Sequence, residues 1–104
     1  MPKKYRVKIT ATAERDIESI FDYIACDDPD AAIRWIREIE RQIGSIESFP
    51  KRCPLIPEFR ELGQEYRHLL YGDYRTIFRI KGASVIIMRV VHGAQLLDLQ
   101  ILEK

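Results

Sequence analysis

The chain changes between two hydrophobic spacings, one typical of strands and the other typical of helices. Residues 5–10 (YRVKIT) alternate and are rich in β-formers, so they predict a first strand. Apolar residues then recur at every third or fourth position, which predicts a helix with Thr10 or Thr12 as its N-cap. The apolar stripe of this helix consists of Ala13, Ile17, Ile20, Phe21 and Ile24.

A second helical stripe follows the sequence CDDPD. Asp28 is positioned to cap this helix, and Pro29 suits its first turn. The apolar spacings alternate between four and three, which is typical of a narrow seam that packs against another helix at a shallow angle. The seam consists of Ala32, Ile36, Ile39, Ile43 and Ile46. The two helices are therefore predicted to form an antiparallel hairpin with a short turn.

The second half of the chain predicts strands. Residues 50–65 hold three prolines and a glycine, which predicts a loop laid over the surface. Three alternating runs follow at about 66–71, 74–80 and 83–92, with turn signals at Gly72-Asp73 and Gly82. The predicted fold is α+β: an N-terminal strand, an antiparallel helical hairpin, and a three-stranded antiparallel meander packed on the helices. We expect one domain over residues 1–104, with 95–104 as a short helix or a flexible tail.

The turn at Gly72-Asp73 predicts which hairpin residues share a face. If the turn has two residues, Tyr71 pairs with Tyr74 and Arg67 with Phe78. The face expected to pack on the helices carries Leu69, Tyr71, Tyr74, Thr76 and Phe78. The opposite face concentrates cations and amphipathic rings, namely Tyr66, His68, Arg75 and Arg79, around Ile77. A register slip of one residue would exchange the two faces.

Composition narrows the classes of function. With 46% hydrophobic residues the chain has enough apolar side chains for a core, and 17 basic against 16 acidic residues give a formal net charge of +1. A protein that holds RNA through its phosphates would then need local clustering of its cations. Cys26 and Cys53 show neither CxxC spacing nor nearby histidines, so we expect no metal site and no cofactor, and a cytoplasmic location. We expect no membrane segment.

Four motifs in a fixed order resemble a known family. They are Ala13, Asp16 and Ile17 in the first helix, Phe49-Pro50 after the second, residues 72–75 (GDYR) in the hairpin, and residues 89–93 (RVVHG) at the end. Together they resemble the RelE/ParE superfamily of bacterial toxins, most closely its ParE-like, plasmid-stabilisation branch, over residues 5–94. The resemblance implies the toxin of a type II toxin–antitoxin pair, neutralised by a cognate protein antitoxin.

Members of this superfamily differ in their target. RelE-type toxins cut messenger RNA in the ribosome, whereas ParE-type toxins poison DNA gyrase. If this chain were a ribonuclease, the resemblance would assign catalysis to Arg67, Arg75 and His92. However, relatives commonly have arginine where this chain has Gln95, and no tyrosine follows Tyr74 to serve as the C-terminal one. Half of a catalytic set on a nearly neutral chain favours a gyrase inhibitor that is not an enzyme.

Three alternatives stay open beside gyrase inhibition. The first is a RelE-type, ribosome-dependent messenger RNA endoribonuclease. The second is an inactive toxin that serves as an antitoxin-binding regulator. The third is an α+β interaction module unrelated to toxins.

We expect target binding at Arg67, Arg75 and Arg79. The structural alternative for each arginine is a surface ion pair or stacking on a tyrosine ring, and it is favoured for Arg79. For His92, a hydrogen-bonded structural role is favoured over catalysis. Arg89, in an apolar strand, is expected to pair with a carboxylate from the helices.

The antitoxin is expected to bind through a disordered C-terminal segment that folds on the toxin, as a helix in a groove or as a strand on the sheet edge. Its predicted contacts lie on the second helix, at Arg34, Trp35, Arg37 and Arg41. An exposed tryptophan is a typical anchor for a partner, but Trp35 fits the edge of the core equally well.

Overall fold

The computed structural model describes residues 4–57 and 63–93, which form one sheet and one layer of two helices. The elements in chain order are β1 (Arg6–Ile9), α1 (Ala11–Asp27), α2 (Pro29–Ser45), a 3-10 turn (Pro50–Arg52), β2 (Arg67–Tyr71), β3 (Tyr74–Lys81) and β4 (Ser84–His92). The predicted α+β fold and its order of elements are confirmed. Residues 95–104, predicted as a short helix or a tail, lie outside the described residues.

The sheet has the order β1-β4-β3-β2. The meander strands β2, β3 and β4 pair antiparallel, whereas β1 lies parallel beside β4. A parallel pair needs a long crossover, and here the helical hairpin lies on the path between the two strands. The position of β1 at the edge beside the last strand is an addition to the predicted topology.

Short polar side chains set the ends of both helices. Thr10 caps α1, since its Oγ1 accepts a hydrogen bond from the Ala13 N–H at 3.1 Å. Asp28 ends α1 by donating its backbone N–H to the Ile24 carbonyl, and it starts α2 by accepting from the Ala31 N–H at 3.1 Å. Pro29 is the first residue of α2. One residue therefore serves as both caps, and this produces the tight turn of the helical hairpin.

The main core lies between the helices and the inner face of the sheet, meaning the face that packs on them. Its buried members are Ala13, Trp35, Ile39, Ile43, Ile46, Cys53, Phe78, Val85, Ile87 and Val90. The register confirms the predicted inner face, because Tyr71 pairs with Tyr74 and Arg67 with Phe78. In the α2 seam, Ile36 is only half-buried and Trp35 is 5% exposed, so the stripe is rotated toward Trp35 relative to the predicted seam.

A second, smaller core lies on the outer face, on the side away from the helices. It contains Ile56, Tyr66, Ile77, Met88 and Val91. The segment 54–56 runs beside β2, where the Ile56 N–H donates to the Tyr66 carbonyl at 2.9 Å and the His68 N–H to that of Pro54 at 3.2 Å. The described part of the predicted loop thus lies over the sheet, and it buries Tyr66 and His68, which were expected on an open face.

A β-bulge in β4 joins the sheet to α1. Ile77 pairs with Arg89 but Phe78 pairs with Ile87, so Met88 is the extra residue. Beyond the end of β1, Asp16 accepts from Arg89 Nε at 2.6 Å, from Arg89 Nη2 at 2.9 Å and from the Val90 N–H at 3.0 Å. The expected pairing of Arg89 with a helix carboxylate is therefore present. It also explains Asp16 in the first motif and Arg89 in the last, because the two residues form one clamp.

Candidate functional site

The three hairpin arginines lie on two different faces of the sheet. Arg75 and Arg79 alternate with inward residues of β3 and lie on the outer face, whereas Arg67 pairs with Phe78 of the main core. The structure therefore brings two of the three predicted target-binding residues onto one face and leaves the third on the other.

Arg67 is held by the loop that follows the 3-10 turn. Its Nη1 donates to the Cys53 carbonyl at 2.6 Å and to the Lys51 carbonyl at 3.3 Å. These bonds use a charged donor to satisfy backbone acceptors, which is a structural arrangement. The same surroundings affect Cys53: burial raises the pKa of its thiol, against the opposing charges of Arg52 and Arg67.

Arg75 and His92 both line a depression of about 300 Å³ at the turn end of the hairpin, although the register pairs His92 with Tyr74 of the inner face and Arg75 with Val91 of the outer face. The depression is lined by Leu70, Gly72, Asp73, Tyr74, Arg75, His92 and Gly93. Arg75 is 6% exposed, so its aliphatic stem and guanidinium are largely enclosed by the sheet. A guanidinium and an imidazole that line the same depression could together bind an anionic group from a target.

Two glycines shape this depression. Gly72 has φ +56°, the left-handed conformation that its two-residue turn requires. The Gly93 N–H donates to the Asp73 carbonyl at 2.5 Å, and a Cβ on Gly93 would lie only 3.2 Å from that oxygen. The GDYR and HG motifs therefore form one unit, in which the end of β4 is fastened to the β2–β3 turn.

An aromatic chain links the depression to α2. Trp35 meets Tyr74 edge-to-face with ring centroids 5.5 Å apart, and Tyr74 meets His92 in the same way at 5.6 Å. Burial raises the pKa of the Tyr74 phenol. Trp35 is thus a member of the core, so it is not an exposed anchor for an antitoxin.

The three arginines predicted to contact an antitoxin stand on the outward side of α2. Arg34 and Arg37 are exposed, and Arg41 forms an ion pair with Glu38 one turn earlier. That ion pair lowers the pKa of the Glu38 carboxyl. Two of the three arginines thus carry no ion pair within the described ranges, and their contact with an antitoxin stays a prediction.

The near-neutral net charge conceals a segregation of charge between the two layers. The four strands contain seven basic residues and no acidic one, namely Arg6, Lys8, Arg67, Arg75, Arg79, Lys81 and Arg89. By contrast, α1 contains five carboxylates and one cation. The local clustering that phosphate binding would require is therefore present on the sheet. Sequence analysis missed Arg6 and Lys8, although their alternation with Val7 and Ile9 already indicated a polar face.

Other classes of site find no support among the described residues. Residues 4–57 and 63–93 hold no group of three His, Cys, Asp or Glu side chains able to bind a metal ion. Both cysteines are free. Neither of the two described helices is long and apolar enough to cross a bilayer.

Comparisons with known proteins agree with this architecture. The profile of a family described as the ParE toxin of the type II toxin–antitoxin system parDE matches residues 7–97. Among solved structures, a chain of the chromosomal ParDE toxin–antitoxin system from P. aeruginosa superposes with a TM-score of 0.68 at 20% identity, over 86% of this chain and 97% of that chain. A chain of the RelBE2 toxin–antitoxin complex from Mycobacterium tuberculosis gives 0.57 at 27% identity, over 88% and 94%. No curated protein sequence matches the chain.

Proposed function

The chain belongs to the ParE toxin family of type II toxin–antitoxin systems, and from this premise we propose that it inhibits DNA gyrase and is neutralised by a cognate protein antitoxin. The inhibition is not catalytic in this proposal: the toxin binds gyrase and traps DNA that gyrase has cleaved. The outer face of the sheet, with Arg75 and Arg79, is the target-binding surface. The action takes place in the cytoplasm.

The separation of the candidate catalytic residues is the observation that carries this proposal. A ribonuclease would need Arg67, Arg75 and His92 within reach of one phosphate and its 2′-hydroxyl. Arg75 and His92 line the same depression, but Arg67 lies on the inner side and donates to two loop carbonyls. Only two of the three residues line one depression, and the family match is to ParE toxins. Both facts support binding rather than cleavage.

Messenger RNA cleavage is the alternative that the depression itself favours. Arg75 could stabilise a phosphate charge there, and His92 could carry a proton. The similarity to a chain of a RelBE2 complex supports this alternative. A third candidate, an inactive regulator that only binds antitoxin, predicts no effect on either target.

The antitoxin is expected to contact the outward side of α2. Arg34 and Arg37 are exposed there, and the neighbouring Ile33 is 41% exposed, so this side offers both charge and apolar surface. An acidic, amphipathic helix fits such a surface. The Arg34→Glu/Arg37→Glu variant should release the antitoxin in a pull-down, whereas Arg15→Glu on α1 should retain it. Equal retention by both variants would move the antitoxin site elsewhere.

Expression in bacteria separates the three candidate functions. Cells should carry a DNA-damage reporter, and incorporation of labelled amino acids should be followed in the same culture. A gyrase poison leaves broken DNA, so the reporter should rise within minutes while protein synthesis continues. A ribosome-dependent nuclease would instead stop incorporation with the reporter silent, and an inactive regulator would change neither.

Variants of Arg75 connect the effect to the outer face. Arg75→Lys keeps a cation in this enclosed position, whereas Arg75→Gln removes the charge with little change in length. We expect the reporter response to survive in Arg75→Lys and to fall in Arg75→Gln. Both variants replace an enclosed guanidinium and should melt below the parent, so each should first be shown to be folded at the assay temperature. The control Arg15→Gln removes an exposed cation from α1 and should act like the parent toxin. A response that is unchanged in Arg75→Gln would exclude Arg75 from target binding.

A further inference from the structure

Two rows of residues cross the outer face near the β3–β4 turn. The register aligns Arg6 with Ser84 and Lys81 in one row, and Lys8 with Ile86 and Arg79 in the other. Val7 and Val85 lie between these rows and pack in the main core, so the side chains of both rows project outward. We name the four cations Arg6, Lys8, Arg79 and Lys81 the basic rectangle.

Strand geometry gives the dimensions of the rectangle. Residues two apart along one strand are separated by ~6.6 Å, and strands two apart in a sheet by ~9.6 Å. The middle strand contributes only Ser84 and Ile86 between the charged corners. Arg6, Lys8 and Lys81 are exposed and Arg79 is half-buried, so at least three of the four charges are open to solvent.

The charges of the rectangle are not neutralised within the described ranges. No strand contributes a carboxylate, and the ion pairs of the described residues, such as Arg89 with Asp16, involve none of the four cations. Like charges at this spacing repel one another weakly in water. An arrangement of this kind is stabilised when an external anion approaches, because the anion offsets the repulsion.

We propose that the basic rectangle binds the phosphate backbone of duplex DNA. A protein partner would normally gain its affinity from apolar or aromatic anchors in pockets, and the rectangle offers only the half-buried Ile86. Single-stranded nucleic acid is normally held by stacking on exposed rings, but the two outer-face rings among residues 4–57 and 63–93, Tyr66 and His68, are both buried. Cations without anchors or stacking rings fit a duplex backbone, which is bound through its charge.

This inference deepens the proposed function and rests on it for its physiological meaning. In a gyrase complex, the rectangle, which includes Arg79, would contact the DNA that the enzyme holds, while the part of the outer face at Arg75 meets gyrase itself. DNA binding by the toxin alone is nevertheless measurable without gyrase. An absence of DNA binding by the rectangle and an absence of gyrase inhibition can therefore be told apart.

The test is the salt dependence of binding between purified toxin and a fluorescent 30-bp duplex, measured by anisotropy. Four phosphate contacts predict a slope of log K against log salt of about −3.6, so affinity should fall about 150-fold between 50 and 200 mM salt. The Lys8→Gln/Lys81→Gln variant loses two exposed corners of the rectangle. Its slope should be about −1.8, and the same change of salt should weaken binding only about 12-fold.

A charge-matched pair controls for net charge. Lys81→Gln removes one cation from the rectangle and should lower the slope to about −2.7, whereas Arg15→Gln removes one from α1 and should leave it near −3.6. The proposal is overturned if the duplex does not bind at 50 mM salt, or if the Lys8→Gln/Lys81→Gln slope equals that of the parent. Tighter binding of single-stranded RNA or of polyglutamate than of the duplex would also overturn it, by assigning the rectangle to a different partner.

Discussion

Removing the Asp16 carboxylate should destabilise the protein more than any other single change on the surface of α1. This carboxylate accepts two hydrogen bonds from Arg89 and one from the Val90 N–H. Asp16→Ala would remove all three and leave a guanidinium without its counter-charge, beside a strand edge with an unsatisfied N–H. The exposed fractions of the two side chains are 19% for Arg89 and 15% for Asp16, so the pair is only partly hydrated.

These contacts determine how much stability Asp16→Ala should lose. Hydrogen bonds to charged groups contribute about 1.5–3 kcal/mol each to stability, and breaking a fully buried ion pair costs about 3–5 kcal/mol. Water can reach part of the Arg89 guanidinium after truncation, so the lower end of that range applies, at about 3 kcal/mol. For a domain of this size the melting temperature should fall by about 12–20 °C. Asp16→Asn, which keeps an acceptor for Val90, should cost about half as much.

Urea unfolding provides the assay. The midpoint and the slope of the transition should be measured for the parent, Asp16→Ala, Arg89→Met and the double variant. The double-mutant cycle should give a coupling energy of about 2 kcal/mol, since contacting charges do not act independently. Glu18→Ala, an exposed carboxylate on the same helix, is the control and should change stability by less than about 0.5 kcal/mol. A loss below about 1 kcal/mol for Asp16→Ala, or additive single variants, would refute the clamp.

Three further predictions concern the second core, the hairpin end and the aromatic chain. Ile56→Ala should lower the free energy of unfolding in urea by about 2–4 kcal/mol, because Ile56 is fully buried. Leu70 is 59% exposed, so the control Leu70→Ala should change it little. Equal effects of the two variants would mean that segment 54–56 does not cover the sheet. Gly93→Ala should cost about 0.5–1 kcal/mol, because its Cβ would lie 3.2 Å from the Asp73 carbonyl oxygen, and an unchanged unfolding midpoint would contradict that close approach. Burial raises the pKa of Tyr74, so the stability that its neutral phenol contributes should be complete below about pH 10 and lost as pH rises through the raised value. Alkaline absorbance titration should show one fewer high-pH ionisation in Tyr74→Phe, and an identical titration would count against the shift.

Local signals predicted most of the fold. Thr10, Asp28 and Pro29 determine the helix ends through contacts within four residues, and Gly72-Asp73 determines the hairpin register through its turn. Such features depend on neighbours in sequence, which is why periodicity and turn chemistry were sufficient to find them. Because the register was correct, the assignment of Arg75 and Arg79 to the outer face was correct as well.

These local signals do not predict contacts between distant segments. The pairing of β1 with β4, the bulge at Met88 and the covering of the outer face by segment 54–56 each join parts of the chain without a shared turn. The environments of two side chains depend on such long-range contacts. Trp35 packs in the core against Tyr74, and Arg67 donates to loop carbonyls; neither contact is visible from residues near in sequence.

The charge at the candidate site also depends on contacts between distant segments. A net charge of +1 by itself disfavours nucleic-acid binding, yet strands with only basic residues and a helix rich in carboxylates place opposite charges on opposite layers. Arg6 and Lys8 join Arg79 and Lys81 because β1 lies beside β4. Total charge is a sum over the whole chain, whereas binding depends on the potential at one surface.

Cleavage of supercoiled plasmid by purified gyrase tests the central claim most directly. Toxin, gyrase and plasmid should be incubated with ATP, stopped with denaturant and protease, and scored for linear DNA against reactions that lack either protein. The account predicts linear DNA only when toxin and gyrase are both present, with less of it for Arg75→Gln than for Arg15→Gln. Intact plasmid in the presence of folded toxin and active gyrase would contradict gyrase inhibition.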